Sequence, residues 1–273
     1  MQPLADKLRP KMLSEVVGQS HLTANNRPFA KVVENQHLHN MILWGPPGTG
    51  KTTLARIICQ QTKAQQINLS AILSGVADIR KAIKQAQENR ELGMATVLFV
   101  DEIHRFNKSQ QDAFLPHMEN GLIFLIGATT ENPSFALNNA LLSRSRVYVL
   151  KNINSNALQT LLKKGIAVTN IKLSASQQDQ LINAADGDAR RLLNLVEILS
   201  DYSEDGKVMD QDISLIISGN AKRFDNKGDV FYEQISALHK CVRSSNPDAA
   251  LYWLARMLDA GCDANYLARR LLR

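Results

Sequence analysis

Three cysteines, Cys59, Cys241 and Cys262, are all that the 273 residues contain, and none stands at metal-ligand spacing. A zinc module and a disulfide scaffold are excluded, and the thiols read as reduced cysteines of a cytosolic protein. Nor does any apolar run approach the roughly 20 residues that a membrane span requires. The opening residues, Met1-Gln2-Pro3-Leu4-Ala5-Asp6-Lys7, lack an apolar segment of the secretory kind. Internal repeats and low-complexity tracts are absent as well. What is present is a hydrophobic content of 44%, too high for a disordered chain and enough for a sizeable core in more than one domain.

Charge is moderate, at +6 overall. Up to Leu150 the basic and acidic residues number 16 and 11, and beyond it 16 and 15, so the positive excess lies in the first half. That suits a chain that holds nucleotide or nucleic acid, although many solvated surfaces are equally basic.

Short apolar runs alternate with longer amphipathic ones up to about residue 150. The pattern predicts strands over Met41–Trp44, Gln66–Leu69, Thr96–Val100, Leu122–Gly127 and Val147–Leu150, with helices over Lys51–Gln61, Val76–Arg90 and Ser109–Asn120. Strands alternating with helices imply βαβ units and a mostly parallel sheet covered on both faces. After Leu150 the spacing of Leu158, Leu161 and Leu162, then Leu192, Leu193, Val196 and Leu199, is helical throughout. The polar stretch Ser218-Gly219-Asn220-Ala221-Lys222-Arg223 reads as a linker, followed by three further amphipathic helices. The chain stops inside the last of them, with no terminating residue, which reads as a truncation that leaves Leu267 and Leu271 in need of partners.

Two motifs carry the chemistry. Gly45-Pro46-Pro47-Gly48-Thr49-Gly50-Lys51-Thr52, followed by Thr53, lies between a strand and a helix. Glycines let the backbone curl so that successive N–H groups face a phosphate at the positive end of the helix. Lys51 can then reach the β- and γ-phosphates, and the Thr52 hydroxyl can ligate Mg²⁺. Fifty positions later the apolar strand Val97-Leu98-Phe99-Val100 ends in Asp101-Glu102. Adjacent strand residues point to opposite faces, so the two acids can divide their work. Asp101 would hold Mg²⁺ and Glu102 would polarise an attacking water as general base.

Together these motifs resemble the AAA+ superfamily in its clamp-loader and RuvB-like branch. The longer strings Asp101-Glu102-Ile103-His104-Arg105-Phe106-Asn107-Lys108 and Ile126-Gly127-Ala128-Thr129-Thr130-Glu131-Asn132-Pro133 are similar to that branch's replication-associated recombination proteins, and the resemblance runs from Leu4 to Arg273. It implies a P-loop α/β domain over 1–150 with strand order 5-1-4-3-2. An all-α lid over 151–219 and the beginning of an all-α C-terminal oligomerisation domain over 220–273 would follow.

The same resemblance extends the candidate site. Arg9 and Pro10, with Val17 and Gly18, match the segment around the adenine, or else form an arm that braces the sheet. Thr130 matches the sensor on the fourth strand, with Thr129 facing the other way; either threonine could instead cap the next turn. Arg144 matches a finger reaching the γ-phosphate of a neighbouring subunit, with Arg146 as its rival. Arg190 matches the lid sensor, and Arg80 with Lys84 matches a helix that tracks a DNA strand, unless it is a solvated basic face. His104 and His117 read as packing or capping residues.

The implied ligands are ATP and Mg²⁺, and the implied partners are DNA at forks, gaps or ends, a homotetramer, and a single-strand-binding protein. The implied location is the cytoplasm, with the nucleoid. A clamp-loader subunit would carry a four-cysteine zinc module and a RuvB-type motor a winged helix after the lid. A non-hydrolysing ATP-binding scaffold would have lost Glu102, Thr130 or the finger.

Overall fold

The computed structural model describes residues 2–203, 205–221, 229–259, 262 and 264–271. Five parallel strands form the sheet: β1 (Met41–Trp44), β2 (Gln65–Ser70), β3 (Thr96–Asp101), β4 (Phe124–Thr129) and β5 (Arg146–Val149). Their order is β2-β3-β4-β1-β5, as the resemblance implied. Side chains alternate between the two faces. Ile42, Leu98, Val100 and Leu125 pack under the helix Val76–Glu91, and Met41, Leu43, Val97, Phe99, Ile126 and Ala128 pack under the helix Lys51–Thr62. Burial on both faces explains why these strands are apolar almost throughout.

The helices predicted at Lys51 and Val76 form within one residue of the expected ends. The one expected over Ser109–Asn120 does not run through. It is two short helices, Lys108–Asp112 and Leu115–Glu119, because Pro116 has no N–H to donate and its ring opposes the carbonyl four residues earlier. The fourth strand also starts later than predicted. Leu122 gives its N–H to the Asn120 side chain and Ile123 to the carbonyl of His117, so neither joins the sheet ladder.

Beyond the sheet, the helices Ser155–Thr169, Ala175–Ala185, Ala189–Tyr202 and Asp210–Ala221 enclose a separate core around Leu162, Leu181, Leu192, Val196 and Leu199. The linker expected from Ser218 is helical as far as Ala221, carried by the packing of Ile213 and Ile216 on that core despite Gly219. Lys222 and Arg223 lie outside the described residues.

Three helices, Asp229–Arg243, Pro247–Asp259 and Ala264–Leu271, follow as expected. Leu267 is not left without partners: it is 1% exposed, in a small core with Ile235, Leu238, Met257 and Cys262. Leu271 remains exposed, and Leu272 and Arg273 lie outside the described residues. No helix among the described residues is long and apolar enough to cross a membrane.

The N-terminal arm links the two cores rather than bracing the sheet alone. Leu4, Ala5, Leu8 and Val17 pack on the helical core, which stands where the resemblance expects the lid and takes that label below, whereas Leu13, Val16 and Leu22 pack on the sheet. The Leu4 N–H also donates to Glu197 Oε1 of the lid at 3.0 Å.

Candidate functional site

Strand order decides what meets at the site. β4 lies between β1 and β3, so the loop leaving β1, the acids ending β3 and the threonines ending β4 share one edge of the sheet. A cleft opens there between sheet, arm and lid. Pro47, Gly48, Thr49, Gly50, Lys51, Thr52 and Thr53 line it, as do Asp101, Glu102, Thr130 and Arg190. Arg9, Pro10 and Val17 close the arm side, joined by residues that sequence reasoning did not assign to the site: Ala5 from the arm, and Ile153, Leu161 and Leu193 from the lid. Leu161 and Leu193 escaped notice because their helical spacing marks them as ordinary core. Gly18, Gly45 and Pro46 stand just outside the lining.

The loop curls as its composition demands. Gly48 and Gly50 take left-handed φ of +66° and +102°, and Gly50 sits immediately before the helix Lys51–Thr62. Lys51 is buried, and its ammonium donates to the carbonyls of Gly45 and Pro46 at 2.6 and 2.9 Å. Burial pulls its pKa below the ordinary lysine value, opposed by the nearby charges of Glu102 and Asp101. Arg9 is tied to Asp6 through Nε at 3.1 Å, and its guanidinium lowers the pKa of that carboxyl.

Gln19, which the resemblance places at the end of the adenine segment, is fully buried and joins three segments. Its amide nitrogen donates to the carbonyls of Thr49 and Lys151, at 3.3 and 2.7 Å, and its oxygen accepts from the Lys151 N–H at 3.1 Å. The lid reaches the loop directly, where the Ala189 N–H donates to the Gly48 carbonyl at 3.3 Å. A Cβ on Gly48 would come within 1.7 Å of Asp188 Oδ1, so two constraints require glycine there.

At the acidic end, Glu102 adopts a left-handed φ of +51°, uncommon outside glycine. Its Oε2 accepts from Thr130 Oγ1 at 3.4 Å. Thr129 is fully buried and turned away, exchanging hydrogen bonds with the backbone of Glu131. His104 is more than the packing residue that the sequence suggested. Nδ1 lies 2.9 Å from Thr129 Oγ1 and 3.2 Å from Glu102 Oε2, and Nε2 lies 3.4 Å from Glu131 Oε1. The proximity of His104 to Glu102 along the chain was a signal, but Glu131 comes close only through the pairing of β3 with β4.

The remaining candidates lie apart from the cleft. Arg144 donates from Nε and Nη2 to Glu119 Oε1 at 2.7 and 2.6 Å, with both side chains exposed. Exposed pairs of this kind contribute about 0–1 kcal/mol, so a stronger anion can displace Glu119 readily. Arg146 begins β5 and is exposed. Arg80 and Lys84 project from the helix Val76–Glu91 over a groove shared with Ser109, Gln110 and His117. The donor chemistry also fits a small hard cation, since the Thr52 hydroxyl and the Asp101 carboxylate face the same cleft.

Three family models match consecutive segments: the ATPase family associated with various cellular activities (AAA) over residues 41–154, the AAA C-terminal domain over 167–243, and the MgsA AAA+ ATPase C terminal over 244–273. Replication-associated recombination protein A of Coxiella burnetii is 52% identical over 99% of the chain and 64% of that relative. The protein of the same description from Escherichia coli strain K12 is also 52% identical, over 99% of the chain and 63% of its own length. The chain thus spans less than two thirds of these relatives. The RuvB Holliday junction branch migration motor of Thermotoga maritima superposes with a TM-score of 0.65 over 96% of this chain and 88% of that one, at 22% identity, a likeness of fold alone.

Proposed function

The chain belongs to the AAA+ ATPases, which bind ATP, and from that premise we propose that it hydrolyses ATP with Mg²⁺ to act on DNA at stalled or gapped replication forks. One observation carries the enzymatic part. The phosphate loop, Asp101, Glu102, Thr130 and Arg190 line a single cleft, although they come from the ends of three strands and from the lid.

In this reading the loop N–H groups and Lys51 hold the phosphates of ATP. Thr52 and Asp101 hold Mg²⁺, which when bound supplies positive charge against the phosphate oxygens. Glu102 takes the proton of the attacking water, Thr130 orients that water, and Arg190 pairs with the γ-phosphate so that lid position follows nucleotide state. The apolar walls of Leu8, Val17 and Leu193 suit an adenine. Arg144 acts on a neighbour's nucleotide, because it stands outside the lining of its own cleft and its charged partner, Glu119, forms an exposed and easily replaced pair with it.

The relatives named for replication-associated recombination support the fork role. With it go a homo-oligomer (a tetramer when whole), a single-strand-binding protein as partner, and a place with the nucleoid in the cytoplasm. Arg80 and Lys84 would meet DNA phosphates. The division proposed is a nucleotide domain to about residue 150, a lid to 219 and a further helical domain beyond. A branch-migration motor fits less well, since the described residues of 229–271 form three helices and no strand. A non-hydrolysing scaffold fits less well too, since Glu102 and Thr130 are both present at the cleft.

The test is ATPase rate in the presence of single strands, duplex ends, gaps and forks, for wild type and Glu102→Gln. Wild type should respond to one of these DNA forms. The variant should bind ATP normally and lose about 10²–10⁴-fold in turnover. Normal turnover by Glu102→Gln would overturn the assignment of the base.

A further inference from the structure

His104 is buried to 4% side-chain exposure at the junction of β3 and β4, with polar partners on both ring nitrogens. A carboxylate oxygen can only accept, so wherever Nδ1 bonds Glu102 that nitrogen carries the hydrogen. The neighbouring hydroxyl agrees with this assignment. Thr129 Oγ1 is 3.2 Å from the Glu131 carbonyl, to which it donates, leaving its lone pairs to accept from the Glu131 N–H at 3.0 Å and from Nδ1 at 2.9 Å. The ring thereby spans from Glu102, through Thr129, to the turn that follows β4.

Glu102 needs such a holder. Its side chain is 28% exposed, its backbone lies in the left-handed region, and its other bond, from Thr130, is long at 3.4 Å. A carboxylate with one weak tether would sample several rotamers, and a general base acts only when within hydrogen-bond reach of the water it deprotonates.

We propose that His104, with a hydrogen on each ring nitrogen, is a positioning residue for Glu102, holding the carboxylate from Nδ1 and being itself braced by Glu131 at Nε2. The inference rests on Glu102 being the base. It makes the turn at Glu131, adjacent to Thr130, part of the device that aims the base. A shift at the end of β4 is then felt at Glu102 through the ring as well as through Thr130.

The experiment compares His104→Phe, His104→Asn, Glu131→Ala and Glu102→Gln in the assembled protein, reading kcat, KM for ATP, and thermal unfolding. Phenylalanine fills the space without a donor. Asparagine places an amide nitrogen near the position of Nδ1. Expected are a fall in kcat of about tenfold to a hundredfold for His104→Phe with KM within about twofold, and recovery to within a few-fold for His104→Asn. Glu131→Ala, on a half-exposed side chain, should fold normally and lose kcat several-fold. Equal losses in His104→Phe and His104→Asn, or unchanged kcat in Glu131→Ala, would overturn the proposal. If Glu102→Gln turns over normally, the assignment of the base has failed instead, and the two failures are thereby told apart.

Discussion

Glu102 and Arg144 are held in opposite ways. Glu102 sits in a network closed within the chain, with Thr130, His104 and, behind the ring, Glu131. Arg144 sits on the far rim, paired with an exposed Glu119 and with the carbonyl of Ala140. Interior polar groups must be satisfied by their own chain, because an unmet partner costs about 1–3 kcal/mol. A rim cation in water carries no such penalty, so its partner can be exchanged. On the proposed reading, the contrast separates what one protomer prepares alone from what it offers to another.

The largest effect should come from the interior. Lys51→Ala removes a buried cation that donates two hydrogen bonds to the phosphate loop. ATP affinity should fall by at least about a hundredfold, the scale of two charge-assisted bonds at about 1.5 kcal/mol each. Calorimetry or a fluorescent ATP analogue measures it, and tight binding by the variant would break the contrast at its first term. Arg144→Ala should leave ATP affinity within about twofold and lower turnover by about 10³-fold. Mixing its subunits with Lys51→Ala subunits should restore part of the activity, since an intact finger then meets an intact pocket. Failure at every ratio, in oligomers shown to exchange, would place Arg144 on the interior side after all.

The smallest effect belongs to the outer helix. Replacing Arg80 and Lys84 with alanine should leave the basal ATPase rate unchanged and weaken its stimulation by DNA. The salt dependence of duplex binding should become shallower by about 0.9 for each phosphate that is no longer neutralised. An unaltered slope would return both to an ordinary solvated face.

Much of this was legible in the residues. The phosphate loop and Asp101-Glu102 announce themselves because their chemistry depends on neighbours in sequence. The strands were readable because burial on both faces leaves apolar runs. Where expectation failed, a distant or local competitor had won. Pro116 divided one helix, core packing extended another past Gly219, and hydrogen bonds from Leu122 and Ile123 delayed β4. Gln19 acquires its role, and His104 its brace from Glu131, only when segments remote in sequence come together. No spacing rule could have matched Gln19 to Thr49 and Lys151.

The arm that begins at Leu4 has a mechanical consequence. The lid is joined to the sheet domain by two stretches of chain, that arm and the crossing at Lys151, and by one long hydrogen bond from Ala189 to Gly48 that a swing would break; Gln19 stands where the second stretch meets the phosphate loop. A body pinned at two points keeps one rotational degree of freedom, about the line through the pins. Lid motion should therefore be a swing and not a tumble. A single distance, between one probe on the sheet domain and one on the helix Ser155–Thr169, is enough to follow it through a turnover cycle.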